Sequence, residues 1–432
     1  MSAHEKALAA KSAMAEALLT RHPAAAKGAP WAEQARESAR ARLLAMGAPG
    51  RRDEYWRKTD PALFLDPEPR AAVLEVDETP VFDEVDALRL VFTDGVFRPD
   101  LSDDPALEGV EIQPLADALA ADIHWAKGLF GELEAAGQDP VARPLAALNT
   151  ARAGAGFVIR VVGAPKKPIL FRYLHESENS DALIRHVVRI EAGCGVTLLE
   201  TGPAAARFNK VVEIDVAEGA ACHHVRAQGR DHERVAAAHV FARLAARSTF
   251  KSFTMTMNGR LTRNETVLSF TGDDAVGHVA GAAIGAEGFR HDDTVFVTHD
   301  AENCESRQVF KKVLKSGAKA VFQGKILVKP GAQKTDGYQI SQALLLDDDA
   351  VFDAKPELEI YADDVACSHG STCGAADEDS LFYLRSRGVP EAEATTLMVL
   401  AFVDEAIAEI EDEAIADLIR ARVAGWLDRR NG

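Results

Sequence analysis

The chain has 432 residues, 47% hydrophobic and 27% charged, an ordinary globular composition with room for roughly two or three domains. Its net charge of −18, from 49 Lys and Arg against 67 Asp and Glu, argues against a general nucleic-acid or anionic-membrane surface. Five scattered cysteines without a C-x-x-C spacing argue against a disulfide framework and a self-contained four-cysteine cluster site of ferredoxin spacing.

The N-terminus, M-S-A-H-E-K-A-L-A-A-K, has a charge every few residues and no apolar h-region, so no signal peptide is expected. No apolar run approaches the ~18 residues a membrane span needs. A cytoplasmic protein is the expectation. Residues 1–48 are rich in helix formers, and 31–46 is predicted as one helix between Pro30 and Gly47. A polar and aromatic knot follows at 50–61, G-R-R-D-E-Y-W-R-K-T-D-P. Arg51 and Arg52 with Tyr55 and Trp56 can be read as a nucleic-acid contact. Interleaved Asp53, Glu54 and Asp60 favour a salt-bridged structural turn instead. L-R-L-V-F-T-D-G-V-F predicts a hairpin turning at Asp94-Gly95, and 115–150 returns to helical spacing. Residues 1–154 are taken as a flanking helical and mixed domain.

Over 155–374 short runs alternate with turn residues. Val212, Ile214 and Val216 alternate with acids, and Phe253, Met255 and Met257 with Ser and Thr, the pattern of half-buried strands. So many strands without a helix predict a large sandwich, barrel or β-solenoid; no strict repeat chooses between them. His223-His224, with His232 and His239 nearby, suggests a cupin-like metal site, but adjacent strand residues point to opposite faces and cannot chelate together. G-A-K-A-V-F-Q-G-K-I at 317–326 has the wrong glycine spacing for a phosphate loop, with Ile326 where Ser or Thr is needed. His299 and Cys304 can both act as ligands, but their spacing does not require it.

The stretch K-P-E-L-E-I-Y-A-D-D-V-A-C-S-H-G-S-T-C-G, residues 355–374, concentrates two cysteines and a histidine. On an extended backbone Cys367 and His369 leave the same face, where a thiolate and an imidazole suit iron or zinc. The alternative is a buried cysteine beside a hydrogen-bonded histidine. Asp363 and Asp364 are expected to end a strand through turn hydrogen bonds. From 375 the pattern is helical, with an apolar face at Leu397, Leu400, Val403, Ile407 and Ile410. These helices either cap the β region or dock a partner.

P-E-L-E-I-Y-A-D-D-V-A-C-S-H-G-S-T-C-G, followed by D-E-D-S-L-F-Y-L-R-S-R-G, resembles the signature of the SufB/SufD family of the SUF iron–sulfur cluster assembly machinery. R-R-D-E-Y-W-R-K-T-D, A-A-L-N-T-A, C-E-S-R-Q-V-F-K, F-Q-G-K-I-L-V and Q-K-T-D-G-Y-Q support the resemblance. Ile360 stands where SufB-type chains carry a cysteine, which places the chain nearer the SufD branch. The resemblance implies a mainly β fold, a right-handed parallel β-helix core (155–374) flanked by N-terminal (1–154) and C-terminal (375–432) helical domains. It implies a non-enzymatic scaffold subunit without catalytic residues. A SufB-like paralogue would pair through the β-helix, and a SufC-like ATPase would dock on the C-terminal helices. No tightly bound cofactor is implied, only a transient iron–sulfur cluster shared with the SufB-like partner. By position His369 matches the family histidine at that interface, and Cys367 would be a secondary partner. A homodimer when alone, and no nucleic-acid or membrane partner, complete these expectations. Cys373, where many relatives carry Val, is expected to fill a strand as a small hydrophobe. The rival expectation is a stand-alone β-rich metal-binding enzyme using His223, His232 or His239.

Overall fold

Short Val-, Ile- and Phe-rich strands bury both of their faces only when they stack and are covered. The computed structural model describes residues 3–72, 79–202, 204–228 and 233–431. Within these the chain winds as a parallel β-solenoid, sending alternate strands to a ten-stranded and a nine-stranded sheet. Glu305–Leu314 pairs with Asp336–Leu345, which pairs in turn with Ala366–Ala375. The coil length drifts from 26 residues, between the paired Val235 and Leu261, to 32, between the paired Lys319 and Val351. One corner does repeat. Two residues before successive strands of the ten-stranded sheet the backbone is left-handed, with φ 70° at Gly193, 65° at Gly219, 56° at Arg247, 61° at Asp274, 55° at Asn303 and 58° at Lys334.

The sheets begin before residue 155. Leu88–Thr93 pairs in parallel with Ile169–Leu174, and Val96–Phe97 folds back on it through Asp94-Gly95, both at positive φ as the hairpin turn requires. Val110–Pro114 closes the nine-stranded sheet by pairing antiparallel with Phe157–Val161. At the opposite end Val351–Ile360 and Ala366–Ala375 are the last strands of their sheets.

Between the sheets lies a core that includes Phe157, Phe171, Ile214, Phe250, Phe270 and Phe322. Ions are embedded in it: Lys210 pairs with Glu200, Glu200 Oε1 lies 2.6 Å from His224 Nε2, and Lys312 pairs with Asp293. Pro30–Met46 and Pro144–Arg152 cover the outer face of the nine-stranded sheet, setting Trp31, Leu43 and Leu148 near Val211, Val235 and Leu261. Asn149 of the A-L-N-T run locks that helix to the sheet, Nδ2 donating to the carbonyls of Ile184 (3.0 Å) and Asn209 (3.1 Å). Glu391–Ile407 and Glu413–Asn431 cover the ten-stranded sheet with Val399, Val403, Ile407 and Ile419 against Phe253, Met255 and Val309. The helix Glu378–Ser386 buries none of its residues. Among the described residues no helix is long and apolar enough to cross a membrane.

Ile407 is fully buried, whereas Phe382 is 73% exposed. Ile407→Ala is therefore expected to cost about 2–5 kcal/mol in urea unfolding, and Phe382→Ala less than about 0.5 kcal/mol. Equal shifts for the two would contradict this placement. Burial also holds His186 at about 3, His239 at about 4 and His299 at about 4, against 6.5 when exposed. The folded chain keeps these rings neutral while the unfolded chain binds protons below pH 6.5. Their stability contribution is thus complete above pH 6.5 and lost progressively as the pH falls toward 4. Urea midpoints that stay constant over that interval would refute it.

Candidate functional site

The solenoid's last coil gathers the chemistry singled out from sequence. Ala366–Ala375, A-C-S-H-G-S-T-C-G-A, carries no Asp, Glu, Lys, Arg or Pro, the residues that usually blunt an exposed strand edge. Its register puts Cys367 beside Gly337, His369 beside Gln339, Ser371 beside Ser341 and Cys373 beside Ala343. Cys367 and His369 therefore share one face, as period two requires. That face continues the column of Gln308 and Gln339, both fully buried inside the solenoid.

Burial separates the two. Cys367 is half-buried in a cluster with Ile326, Val328 and Leu358, and desolvation pushes its thiol above the usual range. Gly337 makes room for it: a Cβ there would lie 3.1 Å from Cys367 Sγ. His369 is exposed. Cys373 is exposed too, which corrects the expectation that it fills a strand; no later coil covers it. Ile360, at the end of the other last strand, is 40% exposed. Beneath the edge, Ser341 Oγ meets Ser371 Oγ at 2.8 Å and Gln339 Nε2 donates to Gln308 Oε1 at 2.6 Å.

The 50–61 knot holds this end from outside. Tyr55, 302 positions away, donates its hydroxyl to the Glu357 carboxylate. Lys58 Nζ reaches Asp353 Oδ1 at 2.7 Å, and Lys355 Nζ reaches Glu54 Oε1 at 2.6 Å while lying 4.0 Å above the Tyr55 ring. Gln323 Nε2 donates to the Tyr55 carbonyl at 3.1 Å. The knot is a structural clamp, as its mixed charges suggested. Lys325 pairs with Glu359, so the Gly324-Lys325 pair serves the strand rather than a phosphate. Asp364 ties the final corner through its backbone, accepting from Lys334 N at 2.5 Å and donating to Gln333 Oε1 at 3.0 Å.

The other candidate histidines do not converge. His223 Nε2 faces outward to Glu411 Oε2 at 2.7 Å, and His224 inward to Glu200. His239 lies on the opposite sheet, 3.7 Å from Glu265, and His232 lies outside the described residues. His299 bonds Ser306 Oγ at 2.9 Å and stacks on Phe270, while Cys304 Sγ donates to the Gly272 carbonyl at 3.4 Å. Among the described residues no group of three or more His, Cys, Asp and Glu is arranged to hold a metal ion. The coil end thus offers one accessible imidazole beside a half-buried thiol, a partial ligand set. The Gln308–Gln339 pair and the Tyr55 clamp are parts of this site that local sequence patterns do not reveal. Their signal is present in the C-E-S-R-Q, Q-K-T-D-G-Y-Q and R-R-D-E-Y-W fragments, which meet only in the folded chain.

Comparison with known proteins identifies the family. Residues 173–402 match the family model for SUF system FeS cluster assembly, SufBD core domain. The chain is 29% identical over 407 residues to the iron–sulfur cluster assembly protein SufD of Escherichia coli (strain K12), covering 88% of this chain and 90% of that protein. It is 26% identical over 415 residues to an iron–sulfur cluster assembly SufBD family protein of Synechocystis, with 90% of each covered. SufD of Bacillus subtilis matches at 28% over 257 residues, 57% of this chain and 58% of that protein. The chain belongs to the SufBD core family of the SUF system for iron–sulfur cluster assembly, as a SufD-like member.

Proposed function

We propose that this chain is a non-enzymatic scaffold subunit that joins a SufB-like paralogue through the open end of its solenoid and carries a SufC-like ATPase on its C-terminal helices. The observation that carries the reading is the uncharged last strand Ala366–Ala375 with His369 exposed on it. A free strand edge offers unpaired N–H and C=O groups, and another chain's strand satisfies them. The nascent iron–sulfur cluster is cargo at that joint rather than a resident cofactor. His369 contributes one imidazole, and the remaining ligands come from the partner. Cys367, packed among aliphatic side chains with a raised thiol pKa, serves as a secondary or packing neighbour. Without the paralogue, the same edge serves a second copy of this chain.

The ATPase surface is the outer side of the C-terminal helices, where Phe382, Tyr383 and Leu397 are 73%, 57% and 45% exposed. Asp377 stabilises the start of the first of these helices, Oδ2 accepting from Ser380 N at 2.9 Å. The next two helices cap the ten-stranded sheet, so deleting the tail would uncover that sheet and confuse docking with folding.

Co-expression of the chain with SufB-like and SufC-like subunits tests both halves. His369→Ala is expected to leave the complex intact and abolish cluster assembly; wild-type assembly would sink its role. Phe382→Asp combined with Tyr383→Ser is expected to weaken ATPase-subunit capture by about tenfold or more while retaining the SufB-like partner. Undiminished capture would overturn the docking assignment.

A further inference from the structure

An imidazole binds metal through one nitrogen, and the acceptor that the other nitrogen's proton finds decides which one is free. His369 is the exposed end of an interior column whose preceding members are Gln308 and Gln339. Both amides are fully buried. Gln339 Nε2 is committed to Gln308 Oε1 at 2.6 Å, and Gln339 Oε1 has no hydrogen-bond partner. A buried acceptor left unpaired costs about 1–3 kcal/mol, so it needs a donor. Space for this amide is built in: a Cβ at Gly324 on the facing sheet would lie 2.4 Å from Gln339 Nε2.

We propose that Gln339 is a positioning residue for His369: its free Oε1 accepts the proton of the nearer ring nitrogen and leaves the other nitrogen's lone pair directed out of the open end. Neighbouring strands lie about 4.8 Å apart, so register partners on one face are within a side-chain rotation of this bond. Gln308 Oε1 accepts one N–H of the Gln339 amide, and in that orientation Gln339 Oε1 is the atom left to accept. Ser341, two residues further along, is paired in register with Ser371 and meets its hydroxyl instead. The inference rests on the reading that His369 faces the cluster, and it assigns the tautomer that such a ligand needs.

The test uses the full chain labelled with 13C,15N-histidine, with the His369 resonances assigned by difference from His369→Gln. In the wild type, neutral His369 is expected in one dominant tautomer, protonated on the nitrogen nearer Gln339. A fast-exchanging mixture, or the opposite tautomer, overturns the proposal without any variant. In Gln339→Leu the tautomers are expected to mix. In Gln339→Glu, which keeps an acceptor at that position, the wild-type tautomer is expected to be retained. Gln308→Leu, which frees the amide to rotate, is expected to reproduce the mixing with Gln339 still in place. His369 resonances that are unchanged in Leu variants retaining the wild-type urea midpoint also overturn it. Assembly activity surviving His369→Ala would instead remove the ligand reading while leaving the hydrogen bond to be judged by the spectra.

Discussion

Everything here depends on the parallel hydrogen-bond ladder between successive coils. Each strand's backbone groups are satisfied by the coil before and the coil after, so the stack is self-consistent inside and incomplete where it stops. At its start short strands of the chain itself, Val96–Phe97 and Val110–Pro114, turn back and pair antiparallel as the end strands of the two sheets. The far end has no such strand among the described residues. The two ends of the solenoid therefore differ in structure: antiparallel strands end the sheets at one, parallel strands at the other.

The faces of the two sheets are handled differently from the ends. The outer faces are covered by amphipathic helices from both termini, and burial of Val399, Val403, Ile407 and Ile419 makes the C-terminal pair part of the β domain. The interior mixes aromatic side chains with ion pairs such as Lys210–Glu200 and Lys312–Asp293. Such pairs add little net stability, yet separating one leaves an uncompensated buried charge costing about 3–5 kcal/mol. Those two pairs join consecutive strands of opposite sheets, whereas Glu200–His224 joins stacked strands of adjacent coils, so that contact opposes slippage of their register.

Strand register is what turns dispersed fragments into a site. Tyr55 reaches Glu357, Gln323 reaches the backbone of Tyr55, and Gly337 opens space for Cys367. Each contact rigidifies the last coil without occupying its free edge.

The sequence by itself determined the strand-rich middle, the Asp94-Gly95 hairpin, the helix that runs from Pro30 to Met46, and the helical tail, because all arise from local periodicity and turn chemistry. It determined that Cys367 and His369 share a face, and its motif fragments carried the family. The solenoid was not legible from periodicity: coils drift between 26 and 32 residues, and the left-handed corner is occupied by Arg247 and Lys334 as well as by Gly, Asp and Asn. Only the tertiary structure decided which of the two neighbours is accessible. Cys367 packs under the edge and His369 stands on it, and Cys373 is bare because the stack ends there. Burial at a terminus is set by whichever segment packs against it in space, and a strand's own residues do not encode that.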